Sequence, residues 1–360
     1  MNVVLCTLCD RNYLARALVM VRSLRRHWGG TPPGMFLLCL DSATEVYLQQ
    51  HPEPGVTPLS LAWLEQADPE LASAQGDRSR LEYYFTLSPC LPRMILREFQ
   101  PDAVVSCDAD LWFLDDGAFL VDLLRRRSLF ITAHGFSPAM RELGIPTGRF
   151  NVSFQGFRND AVGRACLDQW RRQCLEWCRH VVDETHGRYG DQRYLDSWPT
   201  DFSGSIQILE PPTFGLAPWN LARFRLSASA GRLWADEEPV RYFHFHGVRL
   251  LAPHLAADRL SLFDVRPDEV VLQDLYAPYL RELFAAEDEV ARELGLSRPL
   301  FESRREGPLW WRLWQARTAC RLDPQTGRIQ WLDYTSWHPV DTLQARLGAL
   351  WRFLSGRRRT

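Results

Sequence analysis

Lysine is absent: every one of the 42 basic residues in this 360-residue chain is arginine. That absence removes any mechanism built on a lysine nucleophile, a Schiff base or the lysine of a P-loop. Apolar runs of roughly 18–20 residues, the length of a membrane-spanning helix, are also missing. The stretch Met1–Asp10 is too short an apolar run for a signal peptide and has no basic flank, so a cytoplasmic location is expected. An excess of one charge is lacking too. The formal net charge of −2 excludes coating of nucleic acid by bulk positive charge, and no nucleic-acid partner is expected. The nine cysteines (6, 9, 39, 90, 107, 166, 174, 178 and 320) form no paired framework, and most sit in apolar runs. They read as reduced core thiols. Cys6-x-x-Cys9 falls at the end of an expected strand rather than at a helix start, which speaks against a redox pair.

What is present is a globular composition, 46% hydrophobic and 24% charged. Val3–Thr7, Met35–Leu40, Ala103–Cys107 and Leu129–Ala133 read as short buried strands. Helices are expected from about Tyr13 to His27 and over Leu91–Phe99, after Pro89. Strands alternating with helices predict an α/β fold with a mixed, mostly parallel sheet flanked by helices. Ligands of such sheets sit beyond the carboxyl ends of the strands. That directs attention to Thr7–Tyr13, Cys107–Asp110 and His134.

The segment Val104-Val105-Ser106-Cys107-Asp108-Ala109-Asp110 carries the strongest signal. A buried strand emerges into two carboxylates one residue apart. If the backbone stays extended, positions i and i+2 point the same way and both carboxylates face one hard cation, Mn²⁺ or Mg²⁺. A substrate phosphate would complete the shell. The bland alternative is a loop of solvated acids. A carboxylate at that solvent edge holds no core together, so Asp110→Ala is expected to leave the fold intact.

Two enzyme classes share the local pattern. Haloacid-dehalogenase-like phosphatases favour Thr or Val two residues after the second Asp, near the N-terminus, with a downstream Lys or Arg. Here that position is Trp112. Nucleotide-diphospho-sugar transferases of the GT-A (Rossmann-like) fold place Asp-x-Asp after roughly a hundred residues of α/β structure. The chain resembles bacterial members of that class, similar to the family-8 retaining glycosyltransferases, over about residues 1–250. The resemblance rests on Thr7–Leu14, Glu82–Pro89, Asn151–Phe157, Gly190–Asp196, Ala217–Asn220 and Phe243–Gly247, in that order. Ser153 stands where Gly is usual.

The resemblance implies a metal-dependent transferase moving a sugar from a nucleotide-sugar donor, UDP expected, to a hydroxyl of a glycan or lipid-linked acceptor. It implies donor contacts at Thr7, Cys9, Asp10, Asn12, Tyr13, Tyr83, Thr86, Asp108, Ala109 and Arg249. Acceptor or sugar contacts fall at Asn151 and Ser153. Metal ligands fall at Asp108, Asp110 and His244, with His246 as fallback. Asp191 and Gln192 are the catalytic candidates. Residue by residue, helix capping competes for Asp10, Asn12 and Asp191, and core packing for Tyr13 and Tyr83. A glycosyltransferase-like module that binds without turnover is the non-enzymatic alternative.

From about Pro267 the character changes and helical periodicity appears over Val271–Leu294, so a catalytic domain is expected at 1–266 and a helical, Trp/Arg-rich C-terminal extension at 267–360. Residues 301–360 hold 11 Arg against 5 acids and six of the 14 Trp. Leu309–Trp314, Leu343–Leu354 and Arg357–Arg359 fit either a helix lying on an anionic membrane face or one packed on the catalytic domain.

Overall fold

A computed structural model describes residues 1–142, 147–296 and 309–335. The strands of its first two hundred or so residues are β1 (Val3–Cys9), β2 (Met35–Cys39), β3 (Val56–Ser60), β4 (Ala103–Cys107), β5 (Leu111–Phe113), β6 (Leu129–Ala133), β7 (Phe150–Arg158) and β8 (Ile206–Leu209). All but β5 form one sheet in the order β3-β2-β1-β4-β7-β6-β8. Neighbours pair in parallel except at β7, which runs antiparallel to both β4 and β6. The mixed, mostly parallel sheet expected from the sequence is therefore present.

Strands covered on both faces read as near-continuous apolar runs, and β1, β4 and β6 are such runs. Side-chain alternation divides β1 between two layers. Val4 and Cys6 pack with Leu87, Cys90 and Met94 of the helix Arg80–Glu98. Val3 and Leu5 pack with Met20, Val21 and Leu24 of the helix Leu14–His27. All nine cysteines are buried and unpaired, and burial pushes the Cys6 thiol up to about 12, which leaves it inert.

One element differs from its sequence reading in a way that matters for the site. The helix expected to start after Pro89 begins at Arg80 and runs through both Pro89 and Pro92 to Glu98. Ser79 and Glu82 form a reciprocal cap: the Ser79 N–H donates to Glu82 Oε2 at 2.9 Å, and the Glu82 N–H donates to Ser79 Oγ at 3.4 Å. That cap and the burial of Leu87, Cys90, Leu91, Met94 and Ile95 outweigh the two missing N–H donors.

The C-terminal region contains the expected helix, Ala277–Glu293, packed against Leu14 and Leu18 through Leu280 and Leu283. It also contributes strands. An antiparallel sheet joins Arg249–Ala252, Leu255–Ala257, Thr318–Leu322 and Ile329–Asp333 in that order. The helix Leu309–Ala316 rests on this sheet, with Leu313 and Ala316 against Leu251 and Leu255, and Arg312 donates to the Leu251 carbonyl at 2.9 Å. This helix is therefore packed on the sheet. Leu343–Leu354 and Arg357–Arg359 lie outside the described residues. Among the described residues no helix is long and apolar enough to cross a membrane.

Candidate active site

In the sheet order β1 is followed on one side by β2 and on the other by β4, so the direction of winding reverses between β1 and β4. A cleft of about 680 Å³ opens at the carboxyl ends of these two strands. Open α/β sheets bind their ligands at this switch point.

The end of β1 and the turn after it line the cleft with Thr7, Cys9, Asp10, Asn12 and Tyr13, and the turn after β4 lines it with Asp108, Ala109 and Asp110. The two carboxylates do not converge by strand alternation. The chain leaves β4 at Cys107 and turns at Ala109–Asp110, with the Leu111 N–H donating to the Asp108 carbonyl at 3.4 Å. Convergence comes instead from β5, which pairs antiparallel with the strand Tyr242–His244 in a register that sets Leu111 opposite His244. Asp110 Oδ1 lies 3.0 Å from His244 Nε2, and Asp108 Oδ2 lies 3.8 Å from the same nitrogen. One ligand atom each from Asp110, His244 and His246 can be chosen so that all lie within 4.8 Å of one another.

Burial alone would pull His244 down, but Asp110 holds its protonated form up. Burial would likewise raise Asp110, and the charge of His244 outweighs it and keeps Asp110 low. Asp108 is pushed up by the dry walls around it and by the charges of Asp110 and Asp191. Since 46% of its side-chain surface opens to the cleft, water tempers that shift.

A carboxylate and two imidazoles are a donor set that divalent transition metals accept. His244 Nδ1 is buried without a protein hydrogen-bond partner, as expected of a ring whose orientation serves something other than the core. The residues present fit a cation. Trp219 supports both rings, its centroid 5.3 Å from His244 and 5.4 Å from His246. Its Nε1 donates to the His134 carbonyl at 2.9 Å, and Asn220 Nδ2 donates to the same carbonyl at 2.8 Å. The Ala217–Asn220 motif is thus the scaffold behind the histidines.

Asp191 lies in the cleft wall, 3% exposed, and burial pushes its carboxyl up to about 6 against an opposing hydrogen bond from Ser88. It caps no helix: the turn Arg193–Ser197 begins after Gln192 and has no side-chain cap. Gln192, Asn151 and Ser153 stand behind the wall rather than in it. Gln192 Nε2 donates to the Thr147 carbonyl at 2.8 Å, and its Oε1 accepts from the Val152 N–H at 3.4 Å. Asn151 Nδ2 meets His134 Nε2 at 3.2 Å, and Asn151 Oδ1 accepts from the Ser153 N–H at 2.8 Å. Val152, between them on β7, is the residue that faces the cleft.

Three expected donor contacts are not brought to the cleft. Tyr83 is buried with its hydroxyl donating to Glu65 at 2.8 Å, and Thr86 Oγ1 donates to the Glu82 carbonyl at 2.9 Å. Both lie on the core side of the helix Arg80–Glu98. The spacing 80, 81, 84, 85 and 88 sets Arg80, Leu81, Tyr84, Phe85 and Ser88 on the cleft side instead. Arg249, on the strand Arg249–Ala252, lies outside the lining. Sequence reasoning missed the five wall residues because it began this helix after Pro89. The Ser79-x-x-Glu82 cap was the available signal.

No family model matches the chain. It is 30% identical over 285 residues to the uncharacterized protein YfnD of Bacillus subtilis (strain 168), covering 79% of this chain and 89% of YfnD. It is 27% identical over 256 residues to YfnF of the same strain, covering 69% of this chain and 82% of YfnF. Among solved structures, mouse xyloside xylosyltransferase 1 in its apo form aligns over 69% of this chain and 98% of its own, with a TM-score of 0.48 and 15% identity. The galactosyltransferase LgtC in complex with donor and acceptor sugar analogs aligns over 68% and 87%, with a TM-score of 0.44 and 15% identity. Shared identity of 30% across most of both sequences means that this chain belongs to the family of YfnD.

Proposed function

We propose that this chain is a metal-dependent glycosyltransferase of the GT-A type, moving a sugar from a nucleoside diphosphate, UDP first, to a hydroxyl of a glycan or lipid-linked acceptor. The observation that carries the reading is the convergence of Asp110, His244 and His246 on one wall of the cleft between β1 and β4. Asp108, Asp110 and His244 would hold a divalent cation, with His246 beside them. Mn²⁺ suits this mixed set better than Mg²⁺, which prefers oxygen ligands and keeps its waters. When bound, the cation takes up the charge that builds on the diphosphate as the sugar–phosphate bond breaks.

The chain's own groups do the rest. Asp10 and Asn12 offer hydrogen bonds to base and ribose, and Tyr13, 39% exposed, offers a ring face. Thr7 Oγ1 is buried in the cleft wall without a hydrogen-bond partner and can take one from a ligand. Arg80 takes over the role first expected of Arg249: its NH2 reaches Asp10 Oδ2 at 3.0 Å, and a guanidinium also pairs with phosphate oxygens. Asp191, held by Ser88, supplies negative charge beside the positive charge that develops on the sugar. Gln192, Asn151 and Ser153 would then act indirectly, by fixing the backbone around Val152.

Thermal-shift measurements with UDP, GDP and CMP, each with and without Mn²⁺, test the reading. Stabilisation by one diphosphate that requires Mn²⁺, together with slow hydrolysis of the matching nucleotide sugar, is the expected result. Nucleotide binding indifferent to metal, or release of phosphate from small phosphomonoesters, would overturn it.

A further inference from the structure

We propose that Arg16 is a positioning residue that couples the two ends of the cleft, the nucleoside end after β1 and the cation end at Asp110 and the histidines. The inference rests on the glycosyltransferase reading above.

Arg16 is 4% exposed and sits in the first turn of the helix Leu14–His27. A cation there is unfavourable on two counts, desolvation and the positive end of the helix dipole. The sequence pattern of that helix would accommodate an apolar residue. What the guanidinium does instead is bridge two loops. Its NH1 donates to the Asn12 carbonyl at 3.2 Å, and its NH2 donates to the Val248 carbonyl at 2.9 Å.

Each bridged loop carries one end of the site. On the nucleoside side, Arg16 Cζ lies 4.5 Å from the centroid of the Tyr13 ring, and Asn12 in turn bonds the Asp10 carboxylate through its N–H at 3.0 Å and its Nδ2 at 3.3 Å. On the cation side, Val248 follows His246 and Gly247, whose φ of 73° only glycine adopts freely. The Val248 N–H donates to the Phe245 carbonyl at 3.2 Å, and the Phe245 N–H donates to the Asp110 carbonyl at 2.9 Å. One planar group therefore sets the separation between Asp10, Asn12 and Tyr13 on one side and Asp110 and His246 on the other. A lysine ammonium, a single point of charge on a flexible stem, cannot hold both carbonyls in that geometry.

The consequence is that UDP and Mn²⁺ assist each other's binding only while Arg16 holds both loops. Calorimetric titration of wild type, Arg16→Gln and Arg16→Lys with uridine, with Mn²⁺ alone, and with UDP in the presence and absence of Mn²⁺ tests this. In the wild type Mn²⁺ is expected to tighten UDP binding by about ten-fold or more. In both variants that enhancement is expected to collapse, while uridine alone and Mn²⁺ alone bind nearly as in the wild type. Enhancement that survives in Arg16→Lys would overturn the proposal, because buried charge alone would then suffice. Weakening of every ligand together, in step with a lower melting temperature, would also overturn it, since Arg16 would then be structural only. Should Arg16→Gln not fold, Arg16→Lys decides the matter. A wild type that binds no UDP under any condition overturns the glycosyltransferase reading itself, before any variant is compared.

Discussion

Asp110 meets His244 across 3.0 Å in a place where neither is free to leave, 7% and 2% exposed respectively. The pair is held by the register of two short strands, not by the loop that carries Asp110. The sequence suggested a carboxylate at the solvent edge, dispensable to the fold. The structure corrects this, because removing one member leaves a buried polar group without its partner.

Asp110→Ala is accordingly expected to do two things. It lowers Mn²⁺ affinity by more than about 100-fold, beyond what loss of an outer-shell partner costs. It also lowers stability without metal by about 1–3 kcal/mol, read by thermal or urea unfolding. Unchanged Mn²⁺ affinity would sink the metal site; an unchanged melting temperature would restore the solvent-edge picture.

Asp191 is expected to trade stability for function. Burial raises its folded value to about 6, so above that pH the protein carries the cost of a buried carboxylate, and the penalty is relieved as pH falls through 6 toward the ordinary carboxylate value. Asp191→Asn should abolish sugar transfer and stabilise the protein at pH 8 by up to about 3 kcal/mol, a gain that fades between pH 6 and about 4. Ser88→Ala removes a hydrogen bond that favours ionisation. It should move the acidic limb of the rate profile to higher pH.

Outside the cleft lining, Asp68 and Arg171 form a pair whose pH dependence runs the other way. Burial alone would raise Asp68, but the Arg171 Nε donates to its Oδ2 at 2.6 Å and the guanidinium holds it below the ordinary range. Its folded value being depressed, the stabilisation is complete above the unfolded value near 3.9 and disappears as pH falls through the lower folded one. Asp68→Asn should cost about 3 kcal/mol at pH 7, with the difference from wild type narrowing below pH 4. A difference that is the same at pH 3 and pH 7 would remove the ion pair as its cause.

Asp258, 1% exposed, ties the C-terminal strands to the rest of the chain. It accepts from the Leu260 N–H at 2.8 Å, from Thr318 Oγ1 at 2.7 Å and from Trp331 Nε1 at 3.0 Å. Asp258→Ala should destabilise the protein by roughly 2–3 kcal/mol, the cost of leaving buried donors unpaired. Hydrogen exchange should show lost protection over 318–333 and little change in β1 and β4, while Asp258→Asn should lie closer to wild type.

The local elements were legible in the sequence wherever one interaction dominated. Ala103–Cys107 and Leu129–Ala133 end in the structure where their apolar runs end, because strands buried on both faces are predominantly apolar and the charged residues begin beyond them. Asp108 and Asp110 were legible as carboxylates at a strand end, and His244 through the resemblance. What no local pattern contained was their meeting point. The Leu111–His244 register, the five side chains that the helix Arg80–Glu98 turns toward the cleft, and the carbonyls joined by Arg16 each depend on segments distant in the chain. Backbone preference and apolar spacing act over a few residues and so determine which segments form strands and helices. The distances between charges depend on how those segments pack, and packing is decided only when the whole chain has folded.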